Sequence, residues 1–401
     1  MKKTASEGEV CAFKNELDLA LCLFFDAAAK TADAAVKRCR WSSFLTKDDA
    51  RVAVNLCAKQ VDGEYLSVEI ASRICEDILS NGESSKDGAN ATRYRTAYDD
   101  FLTKTNSIDV ACLRQFFHQR KEQDDGLYSF ERLAQQQISV RLESIWQGKQ
   151  PPLMRRDVLK NVAFPSDSDS SLPIMGGVCE EQRRVLGVFL AFLSLLLNNR
   201  DCVSAAKALL TDSHSAFTSL RKVAQQQQLS ICQTAVSFVV RGRLDGASEG
   251  QSTVHYQPLK PHRSTYAAFV DTLHSMQTAV EDASISSAAD PDLACFRRLL
   301  TTVRKRLFAY SGVPSFQSNV DWAVERLIES AAVSKSNLRL LHQSELACSP
   351  PQPVEKGGSM AGNSVRRLIQ RVLCRELSDL ESYNKQQQQQ QQQRINCSAN
   401  K

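Results

Sequence analysis

Residues 185–197 read VLGVFLAFLSLLL, thirteen positions without a charge and with one polar side chain, Ser194. Arg183 and Arg184 stand before this run, and Asn198, Asn199 and Arg200 after it. A bilayer-spanning helix needs about 20 apolar residues, whereas a run of this length belongs to a buried helix. A helix with no polar face has to be covered on every side. The run therefore predicts a central helix over about 179–198, enclosed by other elements of the same chain.

The flanking sequence supplies those elements. Phe13, Leu17, Ala20, Leu21, Phe24 and Phe25 recur three and four apart, the spacing of one helical face. Helices are expected to follow near 47–60, 65–79, 92–103, 108–119 and 129–147. In the helix near 65–79, Val68, Ile70, Ile74 and Ile78 are the expected buried positions. Behind the central run, helices are expected at 202–210, 213–227, 230–241, 264–282, 290–310, 320–332 and 334–342. Their connections of a few residues force neighbours to lie antiparallel or at a steep angle. STVHYQP, 252–258, offers a short strand.

The segment from Gly148 to Gly177 holds Pro151, Pro152, Pro165, Pro173 and the run SDSDSS at 166–171, and reads as a linker. The expected organisation is a helical half over 1–147, the linker 148–177, and a second half over 178–345. A further linker, 346–361, leads to an amphipathic helix over 362–385 and a disordered polyglutamine tail over 386–401. No fixed-period motif recurs. The fold class is all-α, multi-helical, with helix pairs stacked as in a loose α-solenoid or irregular bundle.

Composition sets limits on function. Fifty basic and 45 acidic residues give a formal charge of +5, too slight a balance to demand nucleic acid. Thirteen cysteines without a CxxC pair read as small buried hydrophobes in a reducing compartment. The opening MKKTASEGEV turns acidic at Glu7 and Glu9, unlike a transit leader, so cytoplasm or nucleus is expected. There is no GxGxxG, GxxxxGK[ST], HExxH or GxSxG. Cys112 and His118 lie six apart on one predicted helix and point to different faces. Accordingly no catalytic residue, cofactor, metal site, membrane span or small-molecule substrate is expected.

What remains are basic rows. Arg297, Arg298, Arg304, Lys305 and Arg306 gather opposite Phe296, Leu299, Leu300, Val303 and Leu307, a stripe able to meet phosphates or an acidic partner. Arg367, Arg371 and Arg375 form a second row at four-residue spacing, on a helix fit to dock into a groove. Ser166, Ser168, Ser170 and Ser171 alternate with Asp167 and Asp169, a context for acid-directed phosphorylation. The sequence thus points to a non-catalytic scaffold or adaptor subunit of an intracellular complex, with other protein subunits as partners. RNA binding through the basic stripe is the alternative, and an enzyme with a site assembled from distant residues the second.

Overall fold

The computed structural model describes residues 11–12, 14–30, 34–80, 88–122, 162–163, 178–210, 214–244, 254–282, 289–311, 313–345 and 360–399. The helix expected at 129–147 and the serines at 166–171 lie outside them.

The fold is all-α. Helix α1 (Glu16–Lys30) is followed by the single turn α2 (Ala34–Lys37), then α3 (Lys47–Asp62), α4 (Val68–Leu79), α5 (Gly88–Thr105) and α6 (Val110–Glu122). The central helix is α7 (Glu180–Leu197), and α8 (Cys202–Leu210), α9 (His214–Gln227) and α10 (Ile231–Leu244) come after it. The chain closes with α11 (Arg263–Asp282), α12 (Pro291–Tyr310), α13 (Pro314–Glu345) and α14 (Met360–Ala399). Extended structure among the described residues is confined to two parallel two-residue pairings. β1 (Cys11–Ala12) runs beside β4 (Val162–Ala163), and β2 (Ser43–Phe44) pairs Ser43 with Ser107 and Phe44 with Ile108 of β3 (Ser107–Ile108).

Local chemistry sets the boundaries. The Cys179 side chain accepts from the Gln182 backbone N–H while the Gln182 side chain accepts from that of Cys179, a reciprocal cap that starts α7. Thr46 caps α3 by accepting from Asp49 N–H, and Gly63 ends it at φ +79°, where a side chain would be strained.

Helix α7 packs against α8, α11, α12, α13 and α14. Phe189, Phe192, Leu186 and Leu193 have no solvent exposure at all. One apolar cluster extends from Leu17 and Phe24 of α1 through α7 to Val372 and Leu377 of α14, and so unites residues on both sides of 148–177. A smaller cluster is built by α3, α4 and α5, with Val203 of α8 at its edge. Asn198, just past the end of α7, donates from Nδ2 to Thr105 O at 2.8 Å, Asn106 O at 3.0 Å and Ser43 Oγ at 3.0 Å. That amide fastens the central helix to the β2–β3 pairing. No helix among the described residues is long and apolar enough to cross a membrane.

Four expectations need correction. Residues 254–262 form a 3-10 helix, with Pro258 and Pro261 within it, instead of a strand. The helices expected at 320–332 and 334–342 are the single helix α13, whose inward face carries Val320, Ala323, Leu327 and Ala331 without a break. Val68 and Ile70 are exposed, at 64% and 40%. The buried face of α4 is Ala71, Ile74, Cys75 and Ile78; Ile70 stands about 100° off it and Val68 one turn beyond its end. Finally, α14 runs on to Ala399 where a disordered tail was expected, in keeping with the good helix propensity of glutamine.

Phe192 has no exposed surface and touches Phe269 with ring centroids 6.1 Å apart. Phe192→Ala should lower unfolding free energy by about 3–5 kcal/mol in a urea titration, and Phe192→Leu by much less.

Candidate partner-binding surface

The described surface is organised by how α12 and α14 are seated. Asp290 caps α12 by accepting from Leu293 N–H, with Pro291 in the first turn. Lys335 of α13 reaches Asp290 and approaches Asp292 to 3.7 Å, and Ser364 Oγ donates to Asp292 Oδ2 at 2.6 Å. These contacts fix the rotation of α12, so that Phe296, Leu299, Leu300, Val303 and Leu307 are buried.

The basic stripe then divides in two. At about 100° per residue, positions seven apart nearly eclipse, so Arg297 aligns with Arg304 and Arg298 with Lys305. Arg304 turns toward α13, where its Nε donates to Asp321 Oδ1 at 2.7 Å and its guanidinium lies 4.7 Å from the Phe308 ring centroid. Arg297 is exposed on the same side. Arg298, Lys305 and Arg306 instead face α11, across an open groove of about 720 Å³. Ser264, Thr265, Asp271, Thr272 and Ser275 form the α11 wall, and Tyr310 stands among the lining residues contributed by α12. Arg298 meets Asp282 at 3.4 Å, with both side chains about half exposed, and Asp271 is held by Arg243 at 2.5 Å.

The second basic row has a different place. Arg371 and Arg375 are only 5% and 7% exposed, and Arg367 is half-buried. Because α14 packs against α1, α7, α11, α12 and α13, the arginine side of the helix is enclosed together with its apolar side. Arg371 Nη1 lies 3.7 Å from Asp18 Oδ1 of α1. Around them is a charge cluster with no obvious signature in the sequence. Lys14 Nζ contacts Glu376 Oε1 at 3.1 Å and Asp379 Oδ2 at 3.0 Å, and Arg326 of α13 contacts the same two carboxylates at 2.7 and 2.5 Å. Asn15 Nδ2 donates to Ser378 O and Ser382 Oγ, Gln370 Nε2 to Arg40 O, and Lys47 N to Glu381 Oε2. Both halves of the sequence thereby clasp the last helix.

Burial alone would push the Glu376 carboxyl up. The charges of Lys14 and Arg326, with the hydrogen bond from Arg326, more than offset that and hold it down at about 2. Burial lowers the Arg375 guanidinium despite the opposing pull of Asp18 and Glu376.

The cysteines behave as their apolar settings dictate. Burial pushes the thiols of Cys57, Cys75 and Cys202 up to about 12 and that of Cys295 to about 11, leaving little thiolate to act as a nucleophile. Two small cavities beside α7, of about 10 and 20 Å³, are of a size for single water molecules.

No protein-family model matches the chain. It is similar to proteins named PCNA-interacting partner. The rat protein (Rattus norvegicus) is 24% identical over 260 residues, covering 61% of this chain and 39% of the relative. The mouse protein (Mus musculus) is 23% identical over 267 residues, with 61% and 41% covered. The frog protein (Xenopus tropicalis) is 22% identical over 320 residues, with 74% and 49% covered. The chain thus spans less than half the length of the relatives it matches.

The Glu376 carboxyl is ordinarily near 4.5 and lies at about 2 in the folded chain, so its contribution to stability is complete above about pH 4.5 and is lost as pH falls toward 2. Glu376→Gln should cost about 3–5 kcal/mol at neutral pH, because it leaves Lys14 and Arg326 poorly compensated. Urea titrations across this acid range should show a shallower fall for the variant than for the parent chain.

Proposed function

We propose that this chain is a non-catalytic interaction adaptor and that PCNA is one of its partners. The observation carrying this reading is its similarity to three proteins named for interacting with PCNA. The surface supports it. Val61, Tyr65, Val68 and Ile70 leave apolar surface exposed at and around the α3–α4 connection. The strongly shifted groups described above act in packing: Glu376 holds α14, and the raised thiols are core side chains.

The same reading takes the chain to be a subunit of a larger complex, located in the nucleus if PCNA is its partner there. Its two halves are joined by 148–177, with Ser166, Ser168, Ser170 and Ser171 as phosphorylation sites. Limited proteolysis should cut first in that linker.

Purified chain immobilised on a sensor should bind purified PCNA with a dissociation constant in the micromolar range or tighter, and a chain denatured before coupling should not. No binding at tens of micromolar PCNA would overturn the assignment of this partner.

A further inference from the structure

The groove between α11 and α12 has a chemical character that narrows what it can hold. Arg298 and Arg306 are eight residues apart on α12, about 12 Å along the helix axis, with Lys305 between them. An extended chain rising about 3.3 Å per residue covers that distance in roughly four residues. The Arg298–Asp282 pair is exposed, and such pairs contribute under about 1 kcal/mol, so an incoming anion can readily share or displace Asp282.

The opposite requirement is also present. The Thr272 hydroxyl donates to Ala268 O at 2.7 Å and the Thr302 hydroxyl to Arg298 O at 3.0 Å. With their hydrogens engaged inside their own helices, both oxygens present lone pairs, and Asp271 adds a carboxylate. The groove therefore offers cations to acidic groups and acceptors to N–H groups. A peptide with acidic side chains supplies both. A sugar–phosphate backbone has no N–H to give. Among the described residues lining the groove Tyr310 is the one aromatic side chain, whereas single-stranded nucleic acid is bound by successive stacking platforms.

We propose that the α11–α12 groove binds an acidic peptide segment of a partner protein, with phosphoserine, glutamate or aspartate side chains on Arg298, Lys305 and Arg306. Its backbone N–H groups face Thr272, Thr302 and Asp271. This site is independent of PCNA binding and gives the chain a second point of attachment.

The test is fluorescence anisotropy on the full chain with a labelled hexapeptide of alternating glutamate and phosphoserine, beside a neutral glutamine–serine peptide of equal length. The acidic peptide should bind and the neutral one should not. Arg298→Glu with Lys305→Glu should weaken binding at least about tenfold. Arg184→Glu, on an exposed position of α7, should leave it within about twofold. Should the double reversal alter the circular dichroism melt, Arg298→Gln with Lys305→Gln replaces it, again with an expected loss of several-fold. Equal binding of the neutral peptide, no binding of either, or full affinity in the folded double variant would overturn the proposal. So would oligothymidylate binding more tightly than the peptide in competition, which would give the groove to nucleic acid. Measuring PCNA binding on the same variants separates this site from the adaptor reading, since the groove variants should retain PCNA.

Discussion

A helix that offers no polar face to water can exist in solution only inside other structure, and α7 is such a helix. Its buried positions, Val185 to Leu195, fall around most of its circumference. At about 25 cal/mol per Å² of apolar area removed from water, the favourable arrangement is the one in which neighbours close around it. Five helices do so, drawn from sequence that begins at α8 and ends with α14. Asn198 then ties the end of the same helix to the β2–β3 pairing, so the N-terminal helices are positioned relative to a fixed centre.

The seating of α14 rests on a different kind of interaction. Leu368, Ile369, Val372 and Leu373 supply hydrophobic contact, which is non-directional and tolerates sliding. The cluster of Lys14, Arg326, Glu376 and Asp379 does not tolerate it, because moving α14 by one turn would leave buried charges without partners. The ion pairs fix the register of a contact whose strength is mostly apolar.

Much of this was legible in the sequence where a single periodicity or a cap governs the outcome. The limits of α7 and α8 follow from an apolar run bounded by Cys179 and Asn198 and from the pattern of 202–210. Features that depend on which faces meet were not legible. The stripe Arg297–Arg306 reads as one surface on a helical wheel, and only the packing of α11 and α13 against its two flanks separates Arg298 and Lys305 from Arg304. Arg371 and Arg375 read as the basic row of a helix fit to dock into a groove, since nothing local announces that Asp18, more than 350 positions earlier, comes to face them. Val68 keeps helical spacing with Ala71 and Cys75 yet stands in the first turn, before the buried face of α4 begins, and is exposed.

The bond between Lys14 and Glu376 spans 362 positions of sequence. During synthesis, α1 leaves the ribosome long before its partner exists. At roughly 5–20 residues per second the interval is on the order of tens of seconds. For nearly half of that time the apolar side of α1 has neither α14 nor the central helix beside it, and α14 is the last of its neighbours to emerge. The nascent chain is therefore a client for whatever shields hydrophobic surface during translation, and a truncation near the C-terminus harms the first helix as much as the last.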